Sequence, residues 1–191
     1  NNSISLLKHK NILDMINDED YVGEVIHLEY DTAIIQIQDY FRNKVGGIPA
    51  QCFLLASRIN KSFDETYFDK EDCSVILMRV INSANLPNDF DKQRLVAQNA
   101  QNSTTDDFWD SKDKLDSETK NIFSFGGLNC RVLGTFYMQD NKLCFGNDLS
   151  NFYPNRSLKV YKPNKDILNT IVNFGIQENK AVKIGSVRYS S

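Results

Sequence analysis

Residues 73–81 read Cys-Ser-Val-Ile-Leu-Met-Arg-Val-Ile and carry the clearest strand signal in the chain. The run is short, continuously apolar at its centre and rich in β-branched residues, which favours a buried β-strand. Similar runs lie on both sides of it, and clusters of turn-forming residues separate them. The stretch therefore predicts a mainly β protein built from short strands.

The segments before this strand predict a hairpin and a third strand. Residues 22–29 and 32–38 are rich in β-branched residues and are separated by Tyr30-Asp31, a pattern typical of a β-hairpin. Val-Gly-Gly-Ile-Pro-Ala at 45–50 predicts a sharp bend, because glycine and proline punctuate regular structure. Residues 51–56 are continuously apolar at their centre and predict a buried strand, and residues 60–72 predict a loop.

The segments after residue 121 predict a second hairpin and two further strands. Residues 129–137 and 142–146 flank a turn at Asp140-Asn141, and we expect Gly126-Gly127 to form a turn or bulge leading into the first of these strands. Residues 158–161 and 181–189 predict the remaining strands. The predicted sheet therefore continues to the last residues of the sequence.

Two helices are predicted between the strands. Asn164 is positioned to cap a helix over 165–174 that ends at Gly175, and one apolar face is expected from Ile167, Leu168, Ile171 and Val172. Residues 88–90 are positioned to cap a helix over about 91–100, with Phe90, Leu95 and Val96 on one face. The second helix lies in a polar region with few β-branched residues.

About seven short strands with one or two helices predict a small closed or partly open β-barrel. The domain organisation that we expect is a polar lead-in over 1–20, containing one short amphipathic turn or helix, and a barrel domain over 21–191. Residues 82–121 form a helical or irregular insertion in that domain. A length of 191 residues with 41% hydrophobic and 25% charged residues is ordinary for one globular domain.

The charge balance argues against a dedicated nucleic-acid-binding module. Such modules are usually basic, whereas this chain has a formal net charge of −3. Its last third is locally positive through Lys159, Lys162, Lys165, Lys180, Lys183 and Arg188. A weak nucleic-acid surface and an ordinary solvent-exposed face both remain open for that region.

No motif in the sequence predicts catalysis, a cofactor or a metal. The glycine pairs lack the Gly-Lys-Ser/Thr continuation of a P-loop, and the four cysteines form no Cys-X-X-Cys pair. With only two histidines, a nucleophile–histidine pair has few possible members, and His27 is expected on the face of a strand. Scattered cysteines predict reduced thiols and a cytoplasmic location, since neither a signal peptide nor a membrane-length apolar run is found.

The acidic segment at 104–120 predicts a solvent-exposed face. Lysines are interleaved with its carboxylates, and it lacks the glycine and the final bidentate acid of an EF-hand loop. Phe108 and Trp109 lie within it. Large aromatic residues in such a segment either anchor a partner or pack on the domain's own sheet.

Five segments, taken in order, resemble the N-terminal β-barrel of HerA-type ATPases, called the HAS barrel. They are Tyr-Val-Gly-Glu-Val at 21–25, Val-Gly-Gly-Ile-Pro-Ala at 45–50, Phe-Leu-Leu-Ala at 53–56, Gly-Gly-Leu-Asn-Cys-Arg-Val-Leu-Gly-Thr-Phe-Tyr at 126–137 and Val-Lys-Ile-Gly-Ser-Val-Arg-Tyr at 182–189. The resemblance extends over roughly residues 20–191 and is greatest to bacterial HerA proteins associated with antiphage defence. The insertion at 82–121 departs from the compact barrel of the family.

The resemblance implies a non-catalytic domain of a cytoplasmic, hexameric, ATP-dependent DNA translocase or helicase of the FtsK–HerA group. Barrels in such a ring would pack side by side around the entrance and dock a partner nuclease or an NAD-consuming effector, while DNA passes through the ring. ATP and Mg²⁺ would bind in a RecA-like domain that follows Ser191, since the family has an Ile-Gly-Ser/Thr strand, here at 184–186, shortly before that domain. Phe41, Phe68 and Trp109, if exposed, are the candidate interface residues.

Two other functions stay open at this point. The first alternative is an autonomous OB-like barrel that binds nucleic acid, which the positive last third favours. The other is a barrel enzyme acting on a small ligand, which would need a deep pocket lined by convergent titratable groups.

Overall fold

The computed structural model describes residues 12–58, 74–87, 124–140, 142–146 and 158–175, together with six positions between 89 and 97. Seven strands lie in these ranges: β1 Tyr21–Leu28, β2 Thr32–Gln38, β3 Phe53–Ser57, β4 Val75–Ala84, β5 Phe125–Gln139, β6 Lys142–Gly146 and β7 Lys159–Tyr161. Helices α1 and α2 span Asp39–Lys44 and Lys165–Val172, and short 3-10 helices span Ile12–Met15 and Asp18–Asp20.

Six of the strands form a closed antiparallel barrel. Neighbouring strands follow the order β2-β1-β7-β3-β4-β5, and β2 pairs back with β5 to close it. Strand β6 pairs with β5 outside the ring of strands. The predicted mainly β fold, a small barrel of about seven strands, is therefore confirmed.

Strand β5 is long enough to serve both the barrel and the outer hairpin. Its first half pairs with β2, from Gln38 opposite Phe125 to Thr32 opposite Arg131. Its second half pairs with β6, from Thr135 opposite Gly146 to Gln139 opposite Lys142. Strand β4 lies along the other edge of β5 for most of its length. Both predicted hairpins are thus present, joined through β5.

Alternation along the strands divides the apolar residues into two cores. Every barrel strand contributes buried side chains to the interior: Val22, Val25, Leu28, Ala33, Ile35, Ile37, Leu54, Ala56, Ile76, Met78, Val80, Cys130 and Val160, with Leu158 beside them. Alternate residues of β3, β4, β5 and β7 face outward into a second core. The 3-10 helix at Ile12–Met15 and α2 cover that second core, so Ile12, Met15 and Ile16 of the predicted polar lead-in are buried.

Two predicted apolar faces differ from those observed. Helix α2 is capped by Asn164 as predicted, but it packs through Ile167, Thr170 and Ile171, whereas Leu168 and Val172 are exposed. The buried spacing continues to Phe174, which follows the i, i+3, i+4, i+7 pattern of one helical face. Near the second predicted helix, residues 89–91, 93, 94 and 97 are helical, and the ring of Phe90 is 84% exposed instead of packed. Leu95 and Val96 of the predicted face lie outside the described residues.

Gly126 and Gly127 lie within β5, in regular pairing, and not in the predicted turn or bulge before it. They pair with Ile37 and Gln36 of β2, while Ala84 of β4 is the other neighbour of Gly127. A side chain at Gly127 would strike the backbone carbonyl of Ala84, so glycine is required by this close approach of two strands. The predicted loop at 60–72, most of the insertion at 82–121 and the predicted strand at 181–189 lie outside the described residues.

Candidate functional site

Phe41 is the one predicted interface residue that lies in the described part of the chain. Its ring is half-buried on α1 and contacts the ring of Tyr21 edge-on, with the ring centres 4.8 Å apart. The ring of Tyr40, which is 68% exposed, also contacts the Phe41 ring, and the two ring centres are 5.2 Å apart. Phe68 and Trp109 lie outside the described residues, so their place in an interface stays a prediction.

A surface groove lies where α1 folds back over β1 and β2. The chain leaves β2 at Gln38 and enters α1 directly, and an ion pair of 3.2 Å between Asp39 and Arg42 spans the first turn. The groove has a volume of about 220 Å³ and opens to solvent. It is lined by Tyr21, Gly23, Glu24, Ile26, Gln36, Gln38, Phe41 and Phe125.

The groove combines aromatic rings with one carboxylate. Tyr21, Phe41 and Phe125 supply the rings, and the Tyr21 hydroxyl donates a long hydrogen bond of 3.5 Å to Oε1 of Glu24. Burial raises the pKa of the Tyr21 phenol, and the charge of Glu24 raises it further, so the phenol stays neutral at physiological pH. Such a surface suits a cationic group, which aromatic faces and a carboxylate both attract.

Lys162 has a structural role, although the sequence placed it in a possible nucleic-acid surface. Its Nζ donates hydrogen bonds to the carbonyl oxygens of Val45 at 2.8 Å and Gly47 at 2.9 Å. The predicted bend at 45–50 is confirmed, with both glycines at positive φ. The hydrogen bonds of Lys162 thus connect this bend to the end of β7.

Two arginines that sequence reasoning did not single out come together on the barrel surface. Arg79 of β4 and Arg131 of β5 are register partners, and both side chains are exposed. Directly opposite residues of an antiparallel pair point to the same side of the sheet. The outward position of each arginine on a predicted strand was a visible signal, but their adjacency depends on the β4–β5 register.

The described cysteines are free thiols, as predicted. Cys130 is buried in the barrel interior, where burial raises the pKa of its thiol to about 12. Cys52 is half-buried, and burial raises its thiol pKa as well. Cys144 lies half-buried on β6, and Cys73 lies outside the described residues. Raised pKa values disfavour the thiolate and hence nucleophilic chemistry.

His27 lies exposed on β1, as the sequence predicted for a residue on a strand face. Its Nε2 lies 3.1 Å from Oε1 of Glu29, and the Thr32 hydroxyl donates to the other carboxylate oxygen at 3.1 Å. The hydrogen bond from His27, followed by that from Thr32, lowers the pKa of Glu29. Glu29 therefore links the end of β1 to the start of β2 across the turn.

Within the ranges that the structure describes, no cluster of three or more His, Cys, Asp or Glu side chains is arranged to hold a metal ion. None of the helices described there has the length and apolar character needed to cross a bilayer. No protein-family model matches the chain, and no curated protein matches it at a significant level.

Proposed function

We propose that this chain is the non-catalytic barrel domain of a HerA-type, hexameric, ATP-dependent DNA translocase, serving ring assembly and the docking of a partner nuclease or effector. The closed barrel is the observation that supports this most. Four segments that resemble the HAS barrel lie in its strands or in a connection between them. They are 21–25 in β1, 53–56 in β3, 126–137 in β5, and the bend at 45–50 before β3. The fifth, at 182–189, lies outside the described residues.

The packing of the barrel fits a rigid spacer. Buried apolar side chains from all six barrel strands fill its interior, so a ligand site inside the barrel would have to displace packed core. Closure also pairs both edges of nearly every barrel strand, which leaves few free strand edges for uncontrolled association. Specific contacts are then left to side chains on the outer face.

The reading frame that contains this chain provides the first test. We expect it to continue past Ser191 into a Gly-X-X-X-X-Gly-Lys-Ser/Thr motif within a few tens of residues, where ATP and Mg²⁺ would bind. The full-length product is then expected to hydrolyse ATP, whereas residues 1–191 alone do not. A reading frame that ends without a P-loop would refute the proposal.

The alternative function, an autonomous nucleic-acid-binding barrel, has one observation in its favour. The adjacent exposed side chains of Arg79 and Arg131 could contact phosphates. This alternative predicts that the chain shifts a labelled oligonucleotide at low salt and releases it as the salt concentration rises. The absence of binding at low salt would exclude it.

A further inference from the structure

Among the residues that the structure describes, no carboxylate forms an ion pair with the arginine pair, Arg79 and Arg131. The ion pairs among the described residues are His27–Glu29 and Arg42–Asp39, and neither involves this pair. Like charges directly opposite each other on neighbouring strands are destabilising, and an acidic residue at either position would remove that cost. Two adjacent, exposed guanidinium groups are therefore a candidate surface for a group that carries negative charge.

The surroundings of the arginine pair resemble a protein interface more than a nucleic-acid surface. Phe53 on β3 lies opposite Arg79, and Thr32 on β2 lies opposite Arg131, so these four residues form one row across four neighbouring strands. Ile81, two residues further along β4 than Arg79, is 39% exposed. No further lysine or arginine lies in this row, whereas each strand of a DNA duplex carries one phosphate per about 3.4 Å of helix axis. Arginine beside apolar side chains is typical of protein–protein contacts.

The surface groove on the same barrel has the complementary chemistry. Its carboxylate, Glu24, is exposed and forms no ion pair among the described residues, although Lys159 lies opposite it on β7. The acidic 3-10 helix Asp18–Asp20 leads directly into Tyr21 at the groove. Guanidinium groups stack on aromatic faces and bind carboxylates, so an arginine matches both features of the groove.

We propose that the surface groove of one barrel binds the arginine pair of a second copy of this chain. The groove lies on β1, β2, α1 and the first residue of β5, whereas the pair lies on β4 and further along β5, so one barrel can use both surfaces at the same time. The contact is head-to-tail, which is the kind of contact that closes into rings. The inference deepens the proposed function by naming the two surfaces through which neighbouring barrels meet.

Self-association of the 191-residue chain, measured by sedimentation equilibrium at rising protein concentration, tests this contact. The wild type is expected to associate, and added salt to weaken the association because the contact is between charges. Glu24→Arg, and separately the double variant Arg79→Glu/Arg131→Glu, are each expected to weaken it by about tenfold or more. Circular dichroism checks that each variant is folded.

Matched controls carry the same charge changes at exposed positions away from both surfaces. Asp91→Arg matches the charge change of Glu24→Arg, and Arg94→Glu/Lys142→Glu matches the double arginine variant. These controls are expected to associate like the wild type. Equal weakening by the controls would mean that net charge, and not the two surfaces, governs association, and would overturn the proposal.

Mixing the two weakened variants gives the sharpest outcome. Glu24→Arg retains an intact arginine pair, and Arg79→Glu/Arg131→Glu retains an intact groove, so the mixture is expected to associate again with about wild-type affinity through that contact. A monomeric wild type at every concentration, or a mixture that does not associate, would overturn the proposal. So would loss of low-salt oligonucleotide binding in the arginine variant without any change in self-association, since that assigns the pair to nucleic acid.

Failure of the proposed contact between barrels can be told apart from failure of the proposed function. A reading frame without a P-loop would refute the ring ATPase and leave the measured self-association standing. A P-loop protein whose barrels do not associate through these surfaces would refute only the contact.

Discussion

At the scale of single residues, Cys130 reports whether the barrel interior is closed. It is fully buried, and the thiol pKa of about 12 lowers its thiolate population roughly a thousandfold relative to a thiol at the ordinary value of 9. We expect iodoacetamide at pH 8 to spare Cys130 in the folded protein and to alkylate the half-buried Cys144 well before it. Mass spectrometry of the peptides measures both sites.

Unfolding in urea is the control for that experiment. Cys130 is expected to react as readily as Cys144 once the barrel is unfolded, because both thiols are then solvated. Rapid alkylation of Cys130 under native conditions would mean that the barrel interior opens to solvent, in conflict with the packed core.

At the scale of elements, Lys162 joins β7 to the bend at 45–50. Lys162→Met removes two charge-assisted hydrogen bonds and leaves the carbonyls of Val45 and Gly47 without this donor. We expect the free energy of unfolding to fall by about 2 kcal/mol, which urea denaturation measures. Lys165→Met, at an exposed position of α2, is the matched control and is expected to change it by less than about 0.5 kcal/mol. Equal effects of the two variants would contradict a structural role for Lys162.

At the scale of the whole molecule, the β2–β5 pairing makes the barrel one cooperative unit. Ile35 lies on the closing strand and is fully buried in the interior. Ile35→Ala is expected to lower the free energy of unfolding by about 3 kcal/mol while a single unfolding transition is retained. Ile81→Ala, on the outside of β4, is expected to cost less than about 1 kcal/mol. Two separate transitions in either protein would argue against one closed barrel.

Local patterns predicted the strands but not how they close. The hairpins follow from alternation and turn residues that are adjacent in the sequence, and so does the cap of α2 at Asn164. The pairing of Ile35 with Leu128 joins segments far apart in the sequence, and no local pattern encodes it. The assignment of Gly127 to a turn or bulge is wrong for the same reason, since the neighbour that requires a glycine, Ala84, belongs to another strand.

The sequence predicts single residues of the candidate surfaces, but not which residues the fold brings together. Aromatic composition pointed to Phe41, but the groove exists only because α1 folds back onto β1. The arginine pair needs the β4–β5 register, in which bulges shift the partners. Side chains that act together across strands are therefore visible only once the pairing is known.

The mass of the full-length particle tests the central proposal most directly. Mass photometry of the product of the complete reading frame, in the presence of ATP and Mg²⁺, is expected to give a hexamer. Deletion of residues 1–191 is expected to shift the distribution to smaller species, because neighbouring barrels then no longer hold the ring entrance together. A full-length protein that stays monomeric, or a hexamer unchanged by the deletion, would contradict a role for this barrel in ring assembly.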